Sequence, residues 1–204
     1  MFFNYFTSCN NQNPKQSFPV RGFGLVELMV SISIVVIVAA ILLTQQTSFN
    51  GAVLLRGQAY EVALQAREVQ LSAVSVSGDA GTYRTVLGLY FDTQASNNDH
   101  FHVFRDADLD GFYDGPTEEF GAQGFIDPRF EVRAVRAIGD TISGTELSVI
   151  FVRPNFDARF FDASGSELSA TGIEIDIARR GFTGTTTDIV RTVEITSTGQ
   201  IAVQ

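Results

Sequence analysis

The chain has 204 residues and a net charge of −9, with 14 Lys plus Arg against 23 Asp plus Glu, one cysteine and two histidines. That length suits one domain with a sizeable core once a leader and a membrane segment are set aside, and the acidic balance disfavours nucleic acid as an overall partner. A single cysteine excludes an intrachain disulfide, and without a Gly-rich phosphate loop or a nucleophile motif no residues can be named for catalysis.

Residues 1–22 carry Lys15 and Arg21, no acidic side chain, and Cys9. From Phe23 to Leu43 the only ionisable side chain is Glu27. About 21 residues at roughly 1.5 Å each give about 30 Å of helix, enough to cross a hydrocarbon core. A carboxylate inside such a span costs about 2.5–3.5 kcal/mol on insertion scales, so Glu27 needs a partner or a role. Basic residues before the span and an acidic chain after it place the C-terminal part on the outer face of the membrane. A cut at the Gly22-Phe23 junction retains the apolar run, unlike removal of a secretory signal peptide. The alternative is an uncleaved signal anchor with Glu27 snorkelling near its end.

The run Arg21-Gly22-Phe23-Gly24-Leu25-Val26-Glu27-Leu28-Met29-Val30 resembles the N-terminal signature of type IV pilins and type II secretion pseudopilins. The resemblance implies that a prepilin peptidase cuts after Gly22 and that Phe23 becomes the methylated N-terminus. It also implies that Glu27 pairs with the N-terminal ammonium of a neighbouring subunit, which neutralises a charge otherwise stranded in lipid. Gly24, where Thr or Ser is common, and Val26, where Ile is common, depart from the pattern without disturbing it. The implied fold is α+β and pilin-like: a long N-terminal helix, half of it transmembrane, packed on a C-terminal antiparallel β-rich head. The divisions are a cleaved cytoplasmic leader (1–22), a transmembrane and filament-core helix (23–43), an amphipathic continuation (44–78) and the head (79–204). The implied partners are prepilin peptidase, other pilin or pseudopilin subunits, the inner-membrane assembly machinery and membrane lipid. The implied location is the inner membrane, as a single-pass protein with its head outside, then an extracytoplasmic pilus or pseudopilus. Cleavage would remove Lys15, Arg21 and Cys9, leaving 12 basic residues, all Arg, against the same 23 acids.

Beyond the span, Leu55, Ala59, Val62, Ala66, Val69, Ala73 and Val76 recur at alternating four- and three-residue steps, one apolar stripe along a helix. Asn50-Gly51 and Gly57 are candidate bends, at about 1 kcal/mol per glycine relative to alanine, and Ser77-Gly78-Asp79-Ala80-Gly81 ends the helix. The period then changes to alternation, which predicts strands over Tyr83 to Phe91, Phe101 to Arg105, Phe130 to Ile138, Glu146 to Arg153, Ala158 to Asp162, Ile173 to Ala178, Asp188 to Thr196 and Gln200 to Val203. The alternation in Ile173-Glu174-Ile175-Asp176-Ile177 predicts one wet face, and Ser197-Thr198-Gly199-Gln200 predicts a tight hairpin turn. This last hairpin looks like the minor pseudopilin H and competence-type minor pilin branch.

Asp106, Asp108, Asp110 and Asp114, with Gly111 sixth in the series, reproduce most of the ligand spacing of an EF-hand-like calcium loop. The Phe112 carbonyl would supply the backbone ligand, and Glu118 or Glu119 would close the site because the twelfth position is Thr117. Bound Ca2+ would be structural, in a fold without two flanking helices; the alternative is a solvated acidic turn. His100 and His102 could share a strand face as a two-ligand metal site, or be strand-edge histidines lacking a third ligand. The Arg179-Arg180 pair at a strand end reads as a solvated turn, with a polyanion site as the alternative. A filament subunit, minor pilin or pseudopilin, is the functional expectation, with no enzymatic activity. The alternative is a filament-tip binding module for adhesion, DNA uptake or secreted-substrate recognition, favoured by exposed aromatics or a local Arg patch on the head.

Overall fold

The computed structural model describes residues 24–75, 86–142, 144–187 and 189–204, and the side chains of all of these except 44–49. Two compact units emerge, Met1–Leu43 and Thr44–Gln204. One helix, α1 (Leu25–Val74), is followed by nine strands: β1 (Val86–Asp92), β2 (His100–Asp106), β3 (Gly124–Phe125), β4 (Phe130–Ile138), β5 (Glu146–Phe151), β6 (Ala158–Asp162), β7 (Gly172–Arg179), β8 (Val190–Thr196) and β9 (Ile201–Val203). The fold is α+β, as the change of period predicts.

In the first unit, Leu25–Leu43 is long and apolar enough to cross a membrane. Its side chains are exposed around the whole circumference, Leu25, Val35 and Leu43 among them. The two polar residues of its middle turns satisfy themselves: the Ser31 and Ser33 hydroxyls donate to the Glu27 and Met29 carbonyls at 2.7 and 2.8 Å. A helix apolar on every side needs lipid or other helices around it.

In the second unit, the helical stripe is buried as its spacing predicts, from Leu55 and Ala59 at 0% exposure to Ala73 at 1%. Val76 and the 77–81 stop lie outside the described residues, as does the start of the first predicted strand. The helix runs through Gly51 and Gly57 without interruption, so neither breaks it. Gly51 instead makes room, since a Cβ there would lie 2.7 Å from the Arg179 guanidinium carbon. Although α1 has no basic residue in its last turn, Arg153 supplies one from the β5–β6 connection. Its guanidinium donates to the Ala73 and Ser75 carbonyls at 2.5 and 2.6 Å, where the helix end leaves acceptors open.

The strands form two antiparallel sheets, β3-β2-β1-β5-β6 and β4-β7-β8-β9. Leu89, Phe91, Val149 and Phe160 from the first, and Val132, Ile175, Ile177 and Val193 from the second, join the helical stripe in one buried cluster. Strand β3 escaped the sequence reading because two residues carry no period. The outer face of the first sheet is covered too. Phe104, Ile150 and Phe161 form a second small core against which Phe112 and Tyr113 pack. The acidic loop is therefore fastened to the head by its own aromatics. On the second sheet the predicted wet face is partly dry, because Asp176, only 8% exposed, lies under Arg136 and accepts from the Thr192 hydroxyl at 2.8 Å.

Candidate metal loop and N-terminal segment

Strand β2 delivers Asp106 into the loop buried, at 3% exposure. Its two carboxylate oxygens accept from the Leu109 and Gly111 amides at 2.7 and 3.1 Å. Glu118 closes the loop from the far side, accepting from the Ala107 and Asp114 amides at 3.0 and 3.1 Å. Asp110 accepts from the Phe112 amide at 2.8 Å. Gly111 sits at φ +85°, and a Cβ on it would lie 2.4 Å from the Phe161 ring, so glycine serves both the turn and the packing. Carboxylate oxygens of Asp106, Asp108 and Glu118 lie within 4.8 Å of one another, as do those of Asp108, Asp110 and Asp114, with Asp108 common to both groups. Burial raises the pKa of Asp106, and the charge of Asp110 raises that of Asp114. Carboxylates so placed repel one another.

Of the two glutamates considered for closure, the fold brings Glu118 to the cluster and takes Glu119 elsewhere. Glu119 Oε1 lies 3.0 Å from His102 Nδ1 and accepts from the Gln123 amide and the Tyr113 hydroxyl at 2.9 and 3.2 Å. His102 stacks on Tyr113 with ring centroids 4.7 Å apart. Its burial pulls its pKa below the ordinary value, against the opposing pull of Glu119. His100 and His102 do share a strand face, with ring centroids 5.0 Å apart, and His100 faces Asp99 at 2.7 Å. Among the described residues no third ligand joins the two imidazoles. The sequence reading had no means of finding Tyr113 and Gln123, which reach His102 only through the return of the loop.

At the other end of the chain, Gly22 and Phe23 lie outside the described residues. Glu27 occupies the first turn of α1, among exposed apolar neighbours, and among the described residues its carboxylate has no partner. Residues 19–43 match the family model described as the prokaryotic N-terminal methylation motif. The chain carries a prepilin-type motif. That match covers Gly22, Phe23 and Glu27 together. The match ends with the apolar helix Leu25–Leu43, which is long and apolar enough to cross a membrane. No curated protein matches the chain, and no solved structure matches it.

Proposed function

We propose that this pilin-like chain is a minor pilin or pseudopilin, a structural subunit without enzymatic activity. It is made as a precursor, cut after Gly22, methylated on Phe23 and assembled through its apolar helix into a type IV pilus or a type II secretion filament. The observation that carries the reading is the motif at residues 19–43, set directly on a helix whose apolar side chains are exposed on all sides. Such a helix is stable in lipid and equally stable against identical helices, so extraction from membrane into filament exchanges one apolar surrounding for another. The unpartnered Glu27 carboxylate meets the Phe23 ammonium of a neighbouring subunit, so that two charges in an apolar medium neutralise each other.

The acidic loop holds a structural Ca2+, through Asp106, Asp108, Asp110, Asp114 and Glu118 and the Phe112 carbonyl. Support comes from the convergence of these carboxylates and from the aromatic anchors that tie the loop to the sheet. Screening the carboxylate repulsion would fix the outer layer of a head that, once processed, has no cysteine. A second reading, a head that grips another macromolecule, draws on a cluster of arginines around the Arg179-Arg180 pair.

Processing is the direct test. Gly22→Ala, or a larger residue, should leave a longer, uncut precursor in the inner membrane, seen by gel mobility and N-terminal mass spectrometry. Normal-size, methylated protein from that variant would refute the peptidase reading.

A further inference from the structure

The Arg179-Arg180 pair stands at the end of β7, with Arg179 half-buried and Arg180 exposed. A register shift in β4 between Val132 and Ala134 leaves Arg133 as the extra residue of a β-bulge. Its guanidinium donates to the carbonyls of Arg179, Phe182 and Gly184 at 3.2, 2.6 and 3.0 Å. This clamp fixes the turn after β7, over which Arg179 lies 4.1 Å from the Phe182 ring centre. Arg180 donates to the Asn98 side chain at 3.1 Å and pairs loosely with Glu131 at 3.6 Å. Arg129 pairs with Asp127 at 2.7 Å and stays 61% exposed. Four guanidinium groups thus meet two carboxylates, and among the described residues neither Arg133 nor Arg179 has an acidic partner. Between Arg129, Arg179 and Arg180 and α1 runs an open groove of about 490 Å³, lined also by Leu54, Pro128 and Phe182. Leu54 and Phe182 are 42% and 47% exposed.

We propose that this Arg129–Arg179–Arg180–Phe182 surface binds the anionic headgroups of the membrane that holds the chain's own apolar helix. The inference rests on the membrane-anchor reading and adds to it. Three observations favour lipid. The head is acidic overall, so a confined basic patch is unlike its surroundings and complements a negative surface locally. The patch combines cations with half-exposed apolar side chains, the composition of an interface between phosphate and hydrocarbon, whereas a nucleic-acid strand needs an extended basic track. Finally, only residues 44–50 separate the apolar span, which ends at Leu43, from Gly51 on the groove. The eight steps from Leu43 to Gly51 span at most about 30 Å even when extended, which limits how far the groove can stand from the end of the span.

The test uses the full chain with Cys9→Ser and an environment-sensitive fluorophore on Thr183→Cys, reconstituted in vesicles of phosphatidylcholine alone or mixed with phosphatidylglycerol. Emission should shift blue, and the probe should be shielded from an aqueous quencher, only in the anionic vesicles; salt should reverse both effects. Each arginine near an anionic surface is worth roughly fivefold in occupancy, so Arg179→Glu with Arg180→Glu should abolish the shift while flotation with vesicles is unchanged. The milder Phe182→Ser should reduce the shift without altering circular dichroism. Flotation with both vesicle types but no composition-dependent shift, or a shift indifferent to charge reversal, overturns the patch alone. Flotation with neither overturns the anchor and with it the tether on which the patch depends. A shift produced by a short single-stranded oligonucleotide in neutral vesicles, and not by phosphatidylglycerol, makes this a nucleic-acid surface and refutes the proposal.

Discussion

Gln70 and Gly199 join the long helix to the last hairpin. The Gln70 side-chain amide, 5% exposed, donates to the Gly199 carbonyl at 2.8 Å and to the Phe156 carbonyl at 3.0 Å. Gly199 stands at φ +80°, and a Cβ there would fall 1.8 Å from the Phe156 oxygen and 2.5 Å from the Gln70 nitrogen. Gly199→Ala should therefore destabilise the head by more than about 2 kcal/mol, through strain and collision together. Gln70→Leu, which keeps the bulk and removes both bonds, should cost about 1–3 kcal/mol. Urea unfolding of the chain in detergent measures both, and a neutral Gly199→Ala would show that this contact does not hold the hairpin.

Glu27→Ala should insert and be cut normally yet fail to enter filaments. An ammonium left unpaired in hydrocarbon costs about 2.5–3.5 kcal/mol, roughly two orders of magnitude in an assembly equilibrium. The ratio of the variant to wild type in sheared filaments reads this directly, and equal incorporation would remove Glu27 from the assembly step.

Calcium should raise the melting temperature of the chain relative to chelator, and magnesium should do less because it keeps its waters. A hundredfold excess over the dissociation constant stabilises by about 2.7 kcal/mol. Asp108→Ala with Asp110→Ala should abolish the difference. Because Glu118 faces the cluster and Glu119 faces His102, Glu118→Gln should weaken the calcium response and Glu119→Gln should leave it nearly intact. No calcium response in melting or calorimetry would make the loop an ordinary acidic turn.

Stability should also depend on pH through His102. Its burial depresses the folded pKa, so the unfolded chain binds the proton more readily. The contribution is complete above the unfolded value of about 6.5 and is lost as pH falls from there through the folded value. His102→Gln, which cannot titrate, should flatten that part of the profile of melting temperature against pH. An unchanged slope would assign it to other groups.

The sequence by itself determined everything that repeats with a short period. The apolar run and its lone Glu27 specify a membrane-length helix, the four-and-three spacing from Leu55 to Ala73 specifies the face that is buried, and alternation specifies the main strands, because each is a local pattern read against helix or pleat geometry. The carboxylates of the acidic loop were legible for the same reason, being neighbours in the chain. Tertiary structure decided which of two adjacent glutamates closes that loop, since the Glu118 carboxylate accepts from a loop amide while that of Glu119 faces Tyr113 and His102. It decided the pairing of β1 with β5 across more than fifty residues, for which no local pattern exists. It also gathered Arg129 and Arg179 around one groove and set Arg133 to hold the turn beside it: they are scattered in sequence, and a bulge that displaces one side chain by one position leaves no trace in composition or period.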